Sequence, residues 1–422
     1  MAGATTSLRL VRPGPGLLAL PWERPLATWR DEDAAFVALP VGPSRHVVRF
    51  CVVDGDVLAV KELPLWPARR EYEALRVLEQ RQLPAVRAVG LAERSEDDAA
   101  ILMTRFLARS FQYRRLFVRL REGTVAQRER LLDAMAGLLV ELHRRGVFWG
   151  DCSLANTLLV RDGQTLQAHL VDAETSEVHD QLSDGQRAFD LELMVENVTG
   201  DLADVAALGG RGLEHVADDL AVAESVSTRY TDLWEELHRE EPVAPDERYR
   251  VEARLRRLND LGFVVDEVAF EPGPESEGLQ FKVAVADRRY HAGRLRELTG
   301  LDVGEGQARI LLNDLLACAS EPGASGTTEG LARHWLTACY LPSVERLRAT
   351  LGAGIDPVQA YCDLLEVRWL LSEQAGRDVG DEVALAALAA RRVPPGSAAD
   401  LAAAEAATGV WRVDDLRRSE PD

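Results

Sequence analysis

The chain has 422 residues, 46% hydrophobic and 28% charged, with 69 acidic against 49 basic residues and a formal net charge of −20. Its length divides into two or three domains of about 150 residues, its composition supports packed cores rather than disorder, and its surplus of acid excludes a general binder of nucleic acid or anionic membrane. No run approaches the roughly 20 apolar residues of an integral membrane segment, the N-terminus lacks a signal-peptide pattern, and the scattered Cys51, Cys152, Cys318, Cys339 and Cys362 make neither a CxxC pair nor a metal-ligand cluster, so a reducing, cytoplasmic setting is expected.

Residues 1–33 hold Pro13-Gly14, Pro15-Gly16 and Pro25, which predicts an arm of turns rather than a regular element, docked through Trp22 and Trp29. From Ala34 the chain turns to short β-rich runs, Ala35 to Leu39, His46 to Val53 and Val57 to Val60. Asp54-Gly55 is placed as a hairpin turn, because glycine accepts the positive φ such turns need. A helix is predicted over Arg69 to Gln82, then strands over Ala85 to Leu91 and Ala99 to Met103. Leu131, Met135, Leu138 and Leu142 fall four, three and four residues apart, an apolar stripe on a long helix from Val125 to Arg145 that Gly146 ends.

After that helix come a loop from Phe148 to Asn156, a strand over Thr157 to Val160, the turn Asp162-Gly163 and a strand over Leu166 to Val171. A helix from Gly185 to Leu208 reaches Gly209-Gly210, where the first domain is expected to end. The rest reads as mainly helical, with strands at Val264 to Phe270 and Leu279 to Val285 and an Ala-rich end from Pro394 that frays. The predicted organisation is an arm (1–33), a first domain (34–215), a mainly α-helical domain (224–393) and a flexible tail (394–422). Trp335, Tyr340 and Trp369 read as core of the helical part. The arginine runs at Tyr113 to Arg121 and Arg254 to Arg257 read as solvated helix faces.

The order of small sheet, helix, more sheet, long helix, loop and hairpin resembles the protein-kinase-like superfamily. Within it, Gly150-Asp151-Cys152-Ser153-Leu154-Ala155-Asn156 resembles the G-D-x-x-x-x-N loop of the lipopolysaccharide-kinase and aminoglycoside-phosphotransferase branch. The kinase resemblance covers Ala34 to Gly210. The whole chain is similar to actinobacterial proteins that join such a domain to a helical C-terminal domain of unknown function. The resemblance implies a bilobal α+β fold that uses ATP and Mg²⁺.

It further implies that Asp151 orients and deprotonates an incoming hydroxyl, and that Asn156 and Asp172 hold the metal. Lys61, ending Val57-Leu58-Ala59-Val60, matches the strand lysine that contacts the α- and β-phosphates. Glu71 is its expected partner, from Arg70-Glu71-Tyr72-Glu73-Ala74-Leu75, with Glu73 the alternate. Thr104, Arg105 and Phe106 stand where the adenine would meet the chain. Gly42 is the one glycine of the phosphate-covering loop, with Ser44 and Arg45 as substitute contacts. Asp190 is placed to hold the catalytic loop, and His143 packs rather than acting as a base.

Two departures bear on activity: that single glycine, and Ala173-Glu174 where Phe-Gly would follow the metal aspartate. The expected function is therefore phosphoryl transfer from ATP to an alcohol group on a small molecule or carbohydrate. The alternative is an inactive ATP-binding pseudokinase that regulates or scaffolds a protein partner through its helical domain.

Overall fold

The computed structural model describes residues 6–39, 45–119, 125–208, 216–243, 247–272, 279–319, 327–352 and 354–400. The architecture is α+β, an antiparallel sheet lobe with helices followed by a mostly helical part. The chain opens with β1 (Thr6–Leu10), α1 (Pro15–Ala19), β2 (Ala35–Val37), β3 (Val47–Val53), β4 (Asp56–Pro64), α2 (Leu65–Gln80), β5 (Ala88–Arg94) and β6 (Ala99–Arg105). The six strands form one antiparallel sheet in the order β1-β5-β6-β4-β3-β2.

Asp54 and Gly55, at φ 51° and 84°, close the β3–β4 hairpin as a two-residue turn. The arm is more regular than its prolines suggest. Its first residues are β1, because the free edge of β5 offers unpaired backbone groups that an extended segment can satisfy. Trp22, Leu26 and Trp29 are buried against the sheet with Val60, Ile101 and Met103, and the Asp54 carboxylate accepts the Gly16 N–H at 3.0 Å. The arm is therefore a second layer of the lobe.

The chain continues through β7 (Ser110–Gln112), α3 (Tyr113–Arg119), α4 (Val125–Arg144), β8 (Val147–Phe148), β9 (Thr157–Asp162), β10 (Thr165–Leu170), β11 (Glu177–Val178) and α5 (Asp184–Leu208). The α4 stripe of Leu131, Met135, Leu138 and Leu142 is wholly buried. Next come α6 (Val216–His238), β12 (Glu241–Val243), α7 (Arg248–Asp260), β13 (Val265–Pro272) and β14 (Leu279–Val285). Ala223, Val226 and Tyr230 of α6, Leu258 of α7 and Phe263 share one core with α4. That core thus runs well past Leu208.

A second core, spanning Ala292 to Ala399, is built by α8 (Tyr290–Thr299), α9 (Glu305–Ala319), α10 (Thr328–His334), α11 (Leu341–Leu351), α12 (Pro357–Ala375) and α13 (Gly380–Ala389). Trp335 and Tyr340 lie in it as expected, but Trp369 is 60% exposed, because its position on α12 faces away from the neighbouring helices. Arg254 is likewise not solvated. It is buried, donates to the Glu236 carbonyl and lies over the Phe281 ring. Nor does the segment from Pro394 to Asp400 fray, since Ala398 and Ala399 are buried and the Ala398 N–H donates to Glu366 at 2.7 Å. Residues 401–422 lie outside the described residues.

The two cores meet at the tip of the β9–β10 hairpin. Arg161 pairs with Asp363. The Asp162 carboxylate accepts the N–H groups of Gly306 and Gln307, at 2.8 and 2.9 Å, at the start of α9. Gly163, at φ 63°, donates its N–H to the Gln359 side chain and accepts its amide N–H, both at 2.9 Å. A Cβ on Gly306 would collide with the Asp162 carbonyl and lie 2.7 Å from the Thr165 hydroxyl, whereas one on Gly293 in α8 would meet nothing within 4 Å.

Gly306→Ala is therefore expected to destabilise the protein by about 1–3 kcal/mol, since the hairpin backbone cannot yield. Gly293→Ala should stabilise it by roughly 0.5–1 kcal/mol. Urea unfolding midpoints of the two variants test the pair, and a neutral Gly306→Ala would mean that the tip is not tightly gripped.

Candidate active site

Lys61 sits on β4 with its ammonium 2.9 Å from Glu71 of α2 and 2.8 Å from Asp172, just beyond β10. The phase of α2 decides between the two glutamates. Glu71 is 2% exposed and faces the lysine, while Glu73 points outward to Arg9. A third carboxylate, Glu174, lies 3.7 Å from Lys61 and 3.2 Å from His46. Three acids around one cation leave the pocket negative. Burial and, after it, Asp172 push Glu71 up to about 8 against the pull of Lys61. Lys61 is held above its ordinary value because Glu71 and Asp172 outweigh the cost of its burial.

Asp151 and Asn156 lie on the loop that follows β8. The Asn156 amide nitrogen donates to the Asp151 carboxylate at 2.8 Å and to its carbonyl at 3.2 Å. Both bonds use the nitrogen, which leaves the amide oxygen as the atom available to a hard cation. The hairpin brings Asp172 to the same place, because the Val171 N–H donates to the Asn156 carbonyl where β9 and β10 open. Burial and the neighbouring Asp172 raise the Asp151 carboxyl above its ordinary value, while Asn156 and Arg45 pull the other way.

Asp190 is fully buried in α5. It accepts the Trp149 N–H at 2.7 Å, the Gly150 N–H at 2.8 Å and a hydrogen bond with His143 at 2.9 Å. The other His143 nitrogen bonds the Tyr230 hydroxyl at 2.9 Å, so the histidine is a buried strut. Gly150 bends the loop at φ 77°, a conformation only glycine adopts without strain.

Sequence reasoning missed two residues of α5. Asn197 donates to the second Asp151 oxygen at 3.2 Å, and Asp201 accepts the Leu154 and Ala155 N–H groups at 2.9 and 3.3 Å. Together with Asp190 they form a polar edge along a helix whose other inward residues, Met194 and Val198, are apolar. The signal that could have found them is that spacing of Asp, Asn and Asp beside an apolar stripe.

Thr104 and Arg105 end β6 and Phe106 follows it. The Arg105 and Phe106 N–H groups already donate to the Arg87 and Val57 carbonyls, at 2.8 and 3.0 Å. Gly42 and Ser44 lie outside the described residues, and Arg45 is exposed at their edge.

Removing the ammonium with Lys61→Met leaves Glu71 buried beside Asp172. An acid whose pKa rises on folding holds its extra proton below the folded value, so stability is lost as pH climbs from about 4.5 towards about 8. Because Lys61 pulls the Glu71 pKa down to about 8, its loss raises that pKa further, so the deficit of the variant relative to the native protein is expected to be small below about 8 and to grow towards about 3–5 kcal/mol above it. Denaturant unfolding across those pH values reads this, and a pH-independent deficit would contradict it.

Residues 53–207 match the model of the lipopolysaccharide kinase (Kdo/WaaP) family, and residues 232–392 match DUF4032, a domain of unknown function. The first match supports a kinase-like phosphotransferase. A solved structure, WaaP in complex with acyl carrier protein, is 21% identical over 47% of this chain and 90% of that one, with a TM-score of 0.32. No curated protein matches the sequence. No described helix is long and apolar enough to cross a membrane. The chain thus joins a region that matches the lipopolysaccharide kinase (Kdo/WaaP) family, the resemblance that its catalytic-loop sequence carries, to a region that matches DUF4032.

Proposed function

We propose that the protein transfers the γ-phosphate of ATP to a hydroxyl group on a small molecule or carbohydrate. The observation that carries this reading is the convergence of Lys61, Glu71 and Asp172 beside the Asp151–Asn156 loop. Lys61 would exchange Asp172 for the α- and β-phosphate oxygens while Glu71 keeps its orientation. The oxygen-only set of Asp172 and the Asn156 amide suits Mg²⁺, which when bound would neutralise the β- and γ-phosphates.

Asp151, held by two amide N–H groups, would take the acceptor's proton as its oxygen bonds phosphorus and the bond to the β-phosphate oxygen breaks. Its raised pKa moves it towards the working pH of a base. Thr104, Arg105 and Phe106 would line the adenine through carbonyls and the Phe106 ring, because two of their N–H groups are already used. The segment from Asp172 to α5 is short and pinned where β11 pairs with β8, which leaves little surface for a peptide acceptor.

A second reading is favoured by Glu174, whose carboxylate adds negative charge beside Lys61 where phosphates would sit. It makes the protein a pseudokinase that binds ATP without turnover, with the helical region contacting a protein partner.

Transfer from γ-labelled ATP into an acceptor pool from cell extract separates the two. Asp151→Asn should cut transfer by about 10²–10⁴ with nucleotide binding retained. In the native protein the rate should fall as pH drops through the raised Asp151 pKa, because the protonated acid cannot accept. Full transfer by Asp151→Asn removes Asp151 from this role. Mg²⁺-dependent ATP binding with no transfer to any acceptor selects the second reading.

A further inference from the structure

A cleft of about 710 Å³ is lined by none of Lys61, Asp151, Asn156 and Asp172, though it shares Arg105 and Phe106 with the segment proposed to meet the adenine. It lies at the junction of the two cores, walled by the segment before β5, the C-terminal end of α4, the β9–β10 hairpin and the stretch from Ala286 to Ala292. Its volume is in the range that holds a small molecule.

Its chemistry runs against the rest of an acidic protein, because Arg81, Arg87, Arg144 and Arg289 all line it and none forms an ion pair among the described residues. Arg81 donates only to the Arg145 and His179 carbonyls, and Arg144 only to the Val285 and Ala286 carbonyls. Arg289 reaches only the Gln82 amide oxygen, at 3.3 Å, and the Arg87 side chain has no partner among the described residues. The carboxylates on the walls are engaged elsewhere. Glu141 faces Arg288, Asp287 Arg145, Glu79 Arg76, Asp356 Arg109 and Glu305 His291, and the Asp162 carboxylate is held by backbone N–H groups, so none of them pairs with these four arginines. Burial and the adjacent Arg145 pull Arg144 down to about 10 against the attraction of Glu141.

We propose that this cleft binds a compact polyanion carrying two or more phosphate groups. Four guanidiniums that form no ion pair among the described residues suit the charge of a di- or triphosphate, and a planar fork can meet phosphate oxygens two at a time. The ligand would bridge the kinase-like lobe and the helical region, and its binding does not depend on phosphoryl transfer at Asp151.

The test is calorimetric titration of the full chain with inorganic tripolyphosphate in EDTA, repeated with citrate as a carboxylate of similar charge. Arg87 and Arg289 are exposed, so Arg87→Ala/Arg289→Ala should fold normally. That double variant should bind tripolyphosphate at least about tenfold more weakly, while Lys61→Met keeps native affinity. The proposal is overturned if millimolar tripolyphosphate does not bind, or if Lys61→Met abolishes binding that the double variant retains. Citrate binding as tightly as tripolyphosphate overturns the assignment to phosphate.

Discussion

The site depends on one ammonium held between carboxylates from two different parts of the chain. Lys61 comes from the sheet, Glu71 from the helix that crosses it and Asp172 from the end of the β9–β10 hairpin. The pairing is costly in isolation, because taking charges out of water offsets much of their attraction. Its value lies in registry. Lys61 can satisfy both acids only if sheet, helix and hairpin adopt one relative position, and that position sets Asp172 beside Asn156.

The loop that carries Asp151 and Asn156 is held from behind in the same manner. Asp190, Asn197 and Asp201 project from one helix and accept from or donate to the loop at Trp149, Gly150, Asp151, Leu154 and Ala155. A loop that Trp149, Cys152 and Leu154 anchor in the core is thereby fixed further by directional bonds, as a proton acceptor requires. The hairpin is held at both ends, since Asn156 and Asp172 flank its open end and the helical region grips its tip through Arg161, Asp162 and Gly163. The DUF4032 region is therefore mechanically continuous with the strands that bear the candidate metal ligands.

Much of this was legible in the sequence because it rests on local rules. The α4 stripe follows from spacing alone, the Asp54-Gly55 turn from the positive φ it needs, and the loop from the resemblance of Gly150, Asp151 and Asn156 to the G-D-x-x-x-x-N pattern. What was not legible depends on tertiary phase. Glu71, the expected partner, lies on the same α2 face as Leu75 and Leu78, but that a carboxylate on that face meets Lys61 shows only in the packed structure. Asn197 and Asp201 continue the Asp190 edge of α5, but that spacing acquires a role only once the loop is laid against it. The Gly209-Gly210 step reads as punctuation, yet Tyr230 of the following helix reaches back to His143 in the first core. Arg254 read as solvated for the same reason, because a guanidinium stacked over Phe281 carries no mark in the sequence.

The account's central claim is that this cluster is built for nucleotide phosphates and a divalent cation. Thermal unfolding of the native protein and Asp172→Asn, titrated with ATP with and without Mg²⁺, tests it most directly, since a ligand that binds only the folded state raises the midpoint. The account predicts a Mg²⁺-dependent rise in the native protein that Asp172→Asn loses. A midpoint unmoved by millimolar ATP with Mg²⁺, or an equal Mg²⁺-dependent rise in the variant, would contradict it.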